Sequence, residues 1–522
     1  MNRHWVWLKR VVIFVVVVGT LLRFTHLDRK VYWHDEVFTS LRVAGYIGQQ
    51  VERRLFTESF ITAGDLLQYQ QLPADASLAK TWASLVDHPE HPPVYYLMAY
   101  GWGKLFGASV AGYRAIAAIF GVLALPLMFW LGRELFPAQP AVAWVATALL
   151  AVSPIHFIYS QEAREYSFWS VGLLLANITL LRAIRQNQWR AWLGYSFAIA
   201  LSFYGSLVTG LLVISHLVLV GFTQKPRQWL AFALASGLGL GLFAPWLWIM
   251  SQKLDRIQSV TAWAGFASPM AFLTKLWGLH YSAVFVDFNL PLDHWFTLVV
   301  PPLVILTLGI ALGHIIRNYD RQVSTFLLCL LIVPPVVLIG SDLLREGQIS
   351  GTTRYFFPSL IAVTLAMAAW LSDIASMPKG LGKRWGQVTL GLLLLFGILS
   401  CGFNTQARTW WNKGVSYHNP FIADCVNTFE RPMLITNRRD TSLGNVISVS
   451  HGLNPETIFF LTPGPLPKLE NWPGSIFLFR PNQTLIDAAA QSYQVEPVQA
   501  ERVVELYQIV PLPTADRTEG AS

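Results

Sequence analysis

The sequence predicts an all-α polytopic membrane protein with about eleven transmembrane helices and a small extracytoplasmic α/β domain at the C-terminus. Three observations predict it. Apolar residues make up 53% of the 522-residue chain and charged residues only 13%, about half the charged share of a soluble globular protein. The apolar residues fall in long continuous runs, which suit spanning helices, whereas a membrane barrel shows short alternating segments. Residues 404–522 lack such runs and carry strand-like stretches at Met433–Thr436, Thr457–Leu461, Ile476–Phe479 and Val503–Ile509, separated by Pro, Gly and Asn. The same composition excludes disorder, and three cysteines exclude a disulfide framework.

The first apolar run, Val11–Leu22, follows Lys9 and Arg10 and precedes Arg23, His26, Asp28 and Arg29. No small-residue cleavage site follows it, so it reads as a retained helix from Trp7 to Leu27 rather than a signal peptide. The run Pro93–Gly107 has 15 residues, short of the ~20 a spanning helix needs. It reads as interfacial, inside a large first outer loop, 28–111. Later spans are expected at 112–131, 139–158, 166–184, 191–204, 206–222, 229–250, 296–316, 323–341, 355–375 and 387–403.

The charges set the orientation. With the N-terminus inside, the cytoplasmic connections hold Arg3, Lys9, Arg10, Arg133, Arg182, Arg185, Arg190, Lys225, Arg227, Arg317, Arg321, Lys379, Lys383 and Arg384, against Glu134, Asp320 and Asp373. Making Pro93–Gly107 a span would put most of these cations outside, against the positive-inside rule. The tail carries 9 basic and 11 acidic residues and is placed outside. The expected organisation is a membrane module, 1–403, and an extracytoplasmic domain, 404–522, in the inner or plasma membrane of a cell envelope. No basic stripe with interleaved aromatics appears, so nucleic acid is not an expected partner.

Chemistry-bearing residues gather on the outer side. Asp35 and Glu36 follow the first helix and open an amphipathic stretch through Val37, Leu41, Ala44, Ile47, Val51 and Leu55, read as one helix along the membrane. Two carboxylates at a helix start can favour its dipole; a carboxylate can also act as general base on an acceptor hydroxyl or amine. The short turn Ser160–Glu165 packs Glu162 and Arg164 together, with Tyr166 four residues beyond Glu162 on one helix face. Arg114 and Arg354-Tyr355 stand at the outer starts of two spans. Arg114 and Arg354 can snorkel to headgroups, and Arg164 can sit in an ordinary solvated loop paired to a neighbouring carboxylate; each can instead bind a phosphate through bidentate, charge-assisted hydrogen bonds. A phosphate at that depth belongs to a lipid. The chemistry inferred is group transfer from a lipid-phosphate donor. Scattered histidines without ligand spacing suggest no metal or other cofactor.

The ordered set Trp33-His34-Asp35-Glu36, His91-Pro92-Pro93 before Tyr95-Tyr96, Arg114, Tyr159-Ser160-Gln161-Glu162-Ala163-Arg164-Glu165-Tyr166 and Arg354-Tyr355 resembles the GT-C membrane glycosyltransferases of the protein O-mannosyltransferase and aminoarabinose-transferase type, family 39-like. The resemblance covers roughly residues 1–360. It implies inverting transfer of a hexose or pentose from a polyprenyl-phosphate sugar to a lipid, glycan or protein acceptor. In it Asp35 is the base, Glu36 assists, Arg164, Arg114 and Arg354 meet the donor phosphate, and Glu162, Tyr166, His91 and Tyr355 support them. The alternative is a transporter or flippase of lipid-linked sugars, which calls for polar residues at helix centres.

Overall fold

The structure is a computed structural model that describes residues 3–377, 380–464, 466 and 472–512; Lys379, one of the expected cytoplasmic cations, lies outside the described residues. The chain divides into two units, one of residues 1–29, 85–102 and 110–407, the other of 30–84, 103–109 and 408–522.

The first unit is helical. Among the described residues seven helices are long and apolar enough to cross a membrane: Val110–Leu135, Tyr166–Gln186, Pro226–Ser251, Trp295–Asn318, Arg321–Arg345, Thr353–Ser376 and Leu381–Gln406. All seven coincide with expected spans. Helices also occupy the other four expected positions, in different form. Arg3–Arg23 is continuous. The stretch 139–158 is split into Pro140–Ala151 and Pro154–Tyr159, because Pro154 pushes Ser153 out of helical geometry. Trp189–Phe203 and Thr209–Thr223 have 15 residues each, roughly 22 Å at 1.5 Å per residue. Val94–Phe106, from the segment read as interfacial, has 13 residues, about 20 Å and short of the ~30 Å apolar core of a bilayer.

Small residues let these helices approach closely. A Cβ on Gly132 would stand 2.7 Å from the Ala143 Cα, and one on Gly172 would stand 2.9 Å from the Ser202 Cα. Helices packed this way gain dispersion contacts that lipid cannot replace. Most of the expected cytoplasmic cations collect at one end of the unit. There Glu134 meets Arg185 at 2.9 Å and Arg182 at 3.8 Å, Gln228 donates to the Ile184 carbonyl, and the Tyr319 hydroxyl donates to Asp373. The turn 160–165 lies at the other end, with the C-terminus of Arg3–Arg23.

The second unit is built on a six-stranded sheet of order β1-β3-β2-β4-β6-β5, where β1 is Ser59–Thr62, β2 Met433–Asn437, β3 Ile458–Thr462, β4 Ile476–Phe479, β5 Tyr493–Pro497 and β6 Leu506–Pro511. The central β2 runs parallel to both β3 and β4, and the remaining pairs are antiparallel. Met433, Ile435, Phe460, Ile476, Leu478 and Ile509 form its core with Leu485 and Ala489. The four expected strands are present within a few residues. β1 comes from the 28–111 loop and pairs with β3, Phe60 opposite Phe460, so the sheet draws on loop and tail together.

The amphipathic stretch after Asp35 forms two helices, not one: His34–Val43 and Gly48–Leu55. Gly45, at φ +84°, takes the left-handed conformation that ends a helix. The apolar face of the first, with Val37 and Leu41 fully buried, packs on the helix Ser442–Ser450 of the same unit. It is therefore covered by protein, where the sequence reading lays it along the membrane.

Candidate active site

In the first unit, the turn 160–165 is buried throughout and tied down by its neighbours. Gln161 donates to the carbonyls of Leu22, Arg23 and Thr25, satisfying acceptors that the end of the first helix leaves open. Arg23 donates to Gly19, Leu150 and Ala151 carbonyls, locking that end against Pro140–Ala151. Ser160 donates to the His156 carbonyl and Ser167 to the Tyr159 carbonyl, closing the turn on both flanks.

Arg164 and Glu165 sit in this frame. Arg164 is 1% exposed and Glu165 4%. Arg164 Nη2 donates to Glu165 Oε1 at 3.1 Å. His91 Nδ1 lies 3.3 Å from the same oxygen, and Tyr96 donates its hydroxyl to Glu165 Oε2 at 3.0 Å. Burial opposes ionisation of Glu165, but Arg164 and His91 outweigh it and hold the carboxyl well below the usual carboxylate range.

Tyr166 gathers the cations. The Arg164 guanidinium lies 5.7 Å from its ring centroid and the Arg354 guanidinium 5.2 Å. Arg354 comes from the short turn Thr353–Phe356. Asp342 holds the preceding turn by accepting the backbone N–H groups of Ile349 and Ser350. Arg354 also lies over the neighbouring Tyr355 ring at 5.5 Å. Of the expected phosphate-site residues, Arg164, Arg354, Tyr166, Tyr355 and His91 are thus assembled. Glu162 is buried in the same turn, its carbonyl accepting the Arg164 N–H. Arg114, 1% exposed, donates Nη1 to the Leu27 carbonyl at 2.7 Å and so bonds the segment after the first helix.

Asp35 and Glu36 belong to the second unit. Both lie in the first turn of His34–Val43, Glu36 buried and Asp35 half-buried. The Asp35 carbonyl accepts the Thr39 hydroxyl.

The sequence reading missed Glu165 as the hub of the cluster, together with Tyr96. Glu165 adjoins Arg164, which was a usable signal; Tyr96 is 69 positions away and only the fold brings it in. Among the described residues no group of three or more His, Cys, Asp or Glu side chains could hold a metal ion.

The sequence profile of the dolichyl-phosphate-mannose-protein mannosyltransferase family matches residues 90–249, which include His91, Arg114, Glu162, Arg164 and Tyr166. No curated protein matches the chain significantly. Among solved structures, ArnT from Cupriavidus metallidurans bound to undecaprenyl phosphate superposes with a TM-score of 0.54 at 11% identity, over 98% of this chain and 99% of that one. The apo state of the same enzyme gives 0.54 at 10% identity, over 97% and 98%. An oligosaccharyltransferase from Archaeoglobus fulgidus tethered to an acceptor peptide gives 0.48 at 13% identity, over 94% and 69%. The chain is therefore similar to GT-C membrane glycosyltransferases, in sequence to the mannosyltransferase family over residues 90–249 and in fold to ArnT along nearly its whole length.

Proposed function

We propose that this chain transfers a sugar from a polyprenyl-phosphate-linked donor to an acceptor at the extracytoplasmic membrane face, with inversion and with Asp35 as general base. The observation that carries the reading is the pairing of Arg164 and Arg354 on the Tyr166 ring. Two guanidinia brought together from turns 190 positions apart form a site for an anion with several oxygens. Glu165 holds Arg164 through the contact of Nη2 with Oε1. The family profile and the fold of ArnT, whose structure holds undecaprenyl phosphate, support a lipid phosphate as that anion.

In the reaction an acceptor hydroxyl or amine attacks the anomeric carbon as the bond from that carbon to the phosphate oxygen breaks. The phosphate leaves with the electron pair, and Asp35 takes the acceptor proton. Arginine charge stabilises the leaving phosphate, most strongly where water is excluded. Glu165 fixes the Arg164 guanidinium from behind, and Arg114 holds the chain after the first helix.

The transporter alternative has one observation in its favour. Asn177, His216 and Tyr195 are buried in three adjacent helices, His216 bonded to Tyr195 at 3.0 Å and to Asn177 at 3.1 Å. These groups satisfy one another, which suits helix–helix bonding better than a path.

The test is to incubate purified protein with undecaprenyl-phosphate mannose, glucose and 4-amino-arabinose and to score sugar release with water as acceptor. Release that disappears in Arg164→Ala supports the reading. Movement of intact lipid-linked sugar across vesicles without bond cleavage supports transport instead.

A further inference from the structure

We infer that Ser416, Gly444 and Asn445 of the tail are positioning residues for Asp35 and Glu36: the second unit is the seat that fixes the start of the acidic helix. The inference rests on the reading of Asp35 as base.

The helix His34–Val43 has a poor start by sequence. Its N-cap is Trp33, in extended geometry and without a side-chain capping bond. Helix starts expose backbone N–H groups that a Ser, Thr, Asp or Asn normally covers. Here the oxygen comes from elsewhere in the same unit, because the Ser416 hydroxyl accepts the His34 N–H at 3.1 Å. Ser416 in turn donates to Asn445 Oδ1 at 2.9 Å. That oxygen also accepts from Asn419 at 3.1 Å, while Asn445 Nδ2 donates to the Thr441 carbonyl at 3.0 Å. The Asn445 amide thus has one orientation, and the Ser416 lone pair is aimed at His34. Ser416 and Asn445 are both fully buried, where a polar group without its partner costs most.

Packing fixes the same point. The Gly444 backbone lies against the His34 ring, and a Cβ there would stand 2.8 Å from both Cγ and Cε1 and closer still to Nδ1. The Lys413 ammonium lies 4.3 Å from the Trp33 ring centroid. The Tyr32 ring meets His451 edge-on, and its hydroxyl bonds Ser40. These contacts converge on residues 32–34, directly before the carboxylates, so a shift of this seat moves Asp35 and Glu36 as one body. Nothing in the sequence pattern of 404–522 indicates this role.

The test uses the full chain with Gly444→Ala, His34→Ala, Gly444→Ala/His34→Ala and Asp35→Asn. Four quantities are measured: sugar release from the donor panel, binding of undecaprenyl phosphate, thermal unfolding, and amide exchange by mass spectrometry. Gly444→Ala is expected to lower turnover by about 10²-fold, the scale of an ångström-level misplacement, with undecaprenyl phosphate affinity unchanged. Exchange should speed up in 34–43 while β2, β3 and β4 keep their protection. Removing the His34 ring from Gly444→Ala should restore exchange in 34–43, and turnover, to the levels of His34→Ala alone. Wild-type turnover and exchange in Gly444→Ala overturn the seat. So does a loss of protection spread over β2–β4 that His34→Ala does not reverse, since that is general destabilisation. Near wild-type turnover in Asp35→Asn overturns the base reading and the seat with it, whereas normal turnover in Gly444→Ala alone overturns only the seat.

Discussion

Arg164 Nη2 donates to Glu165 Oε1 at 3.1 Å, and both side chains are buried. A buried guanidinium keeps its place only when its charge is answered, and here a neighbouring carboxylate answers it. The same pair leaves Arg164 oriented beside Tyr166 and Arg354. Glu165→Gln keeps the shape and removes the charge. It should destabilise the chain by about 3–5 kcal/mol, the usual cost of breaking a buried pair from one side, seen as a lowered melting temperature in detergent.

The pH dependence of that stability has a definite sign. The Glu165 carboxyl is held below its ordinary value in the folded chain. Its contribution is complete above the unfolded carboxylate pKa, about 4.3, and is lost as pH falls through the folded value. Melting temperatures measured while acidifying through that window should fall more steeply for wild type than for Glu165→Gln. Parallel curves would show that the pair contributes no pH-linked stability.

Tyr166→Phe should bind undecaprenyl phosphate nearly as wild type, because the ring that both guanidinia contact remains. Arg164→Ala and Arg354→Ala should each weaken binding. Arg164→Lys should recover only part of the loss, keeping the charge without the planar fork. Titration of the purified variants checks the order. Equal binding by Arg164→Ala and wild type would remove Arg164 from the phosphate site.

The helices were legible because their apolar runs are long, and runs such as Val110–Leu135 admit no other reading. Shorter pieces were less so. Ser153-Pro154 breaks the expected span 139–158, and Gly45 breaks the expected helix after Asp35. Both signals are local and visible in the sequence, inside stretches whose apolar periodicity runs on past them. β1 was not legible: four residues, Ser59–Thr62, become a strand only by pairing with Phe459 and its neighbours almost 400 positions later. The site divides the same way. Arg164 and Tyr166 are close in sequence, and the sequence alone shows them together. The bonds of His91 and Tyr96 to Glu165, and of Ser416 to His34, link positions that only folding brings together.

Orientation can be read with cysteine labelling. Single cysteines at exposed positions of 36–90, 251–295 and 404–512 should react with an impermeant reagent from outside, and those at 182–190 or 383–384 should not. The basic loops at the end that holds Glu134, Arg182 and Arg185 give this direction. External labelling of 182–190 would overturn the eleven-span arrangement and put the turn 160–165 on the cytoplasmic side.

The most direct measurement compares Asp35→Asn with wild type in sugar transfer and in undecaprenyl phosphate binding. Asparagine keeps the size and most hydrogen bonding but cannot accept the proton. General-base contributions are typically ~10²–10⁴-fold, so turnover should fall by about that much while lipid-phosphate binding and melting temperature change little. Glu36→Gln, measured alongside, should fall less. If Asp35→Asn keeps more than about a tenth of wild-type turnover, below the bottom of that range, Asp35 is not the base. A helix-dipole role would instead show as near-normal turnover with a loss of roughly 0.3–1 kcal/mol in stability.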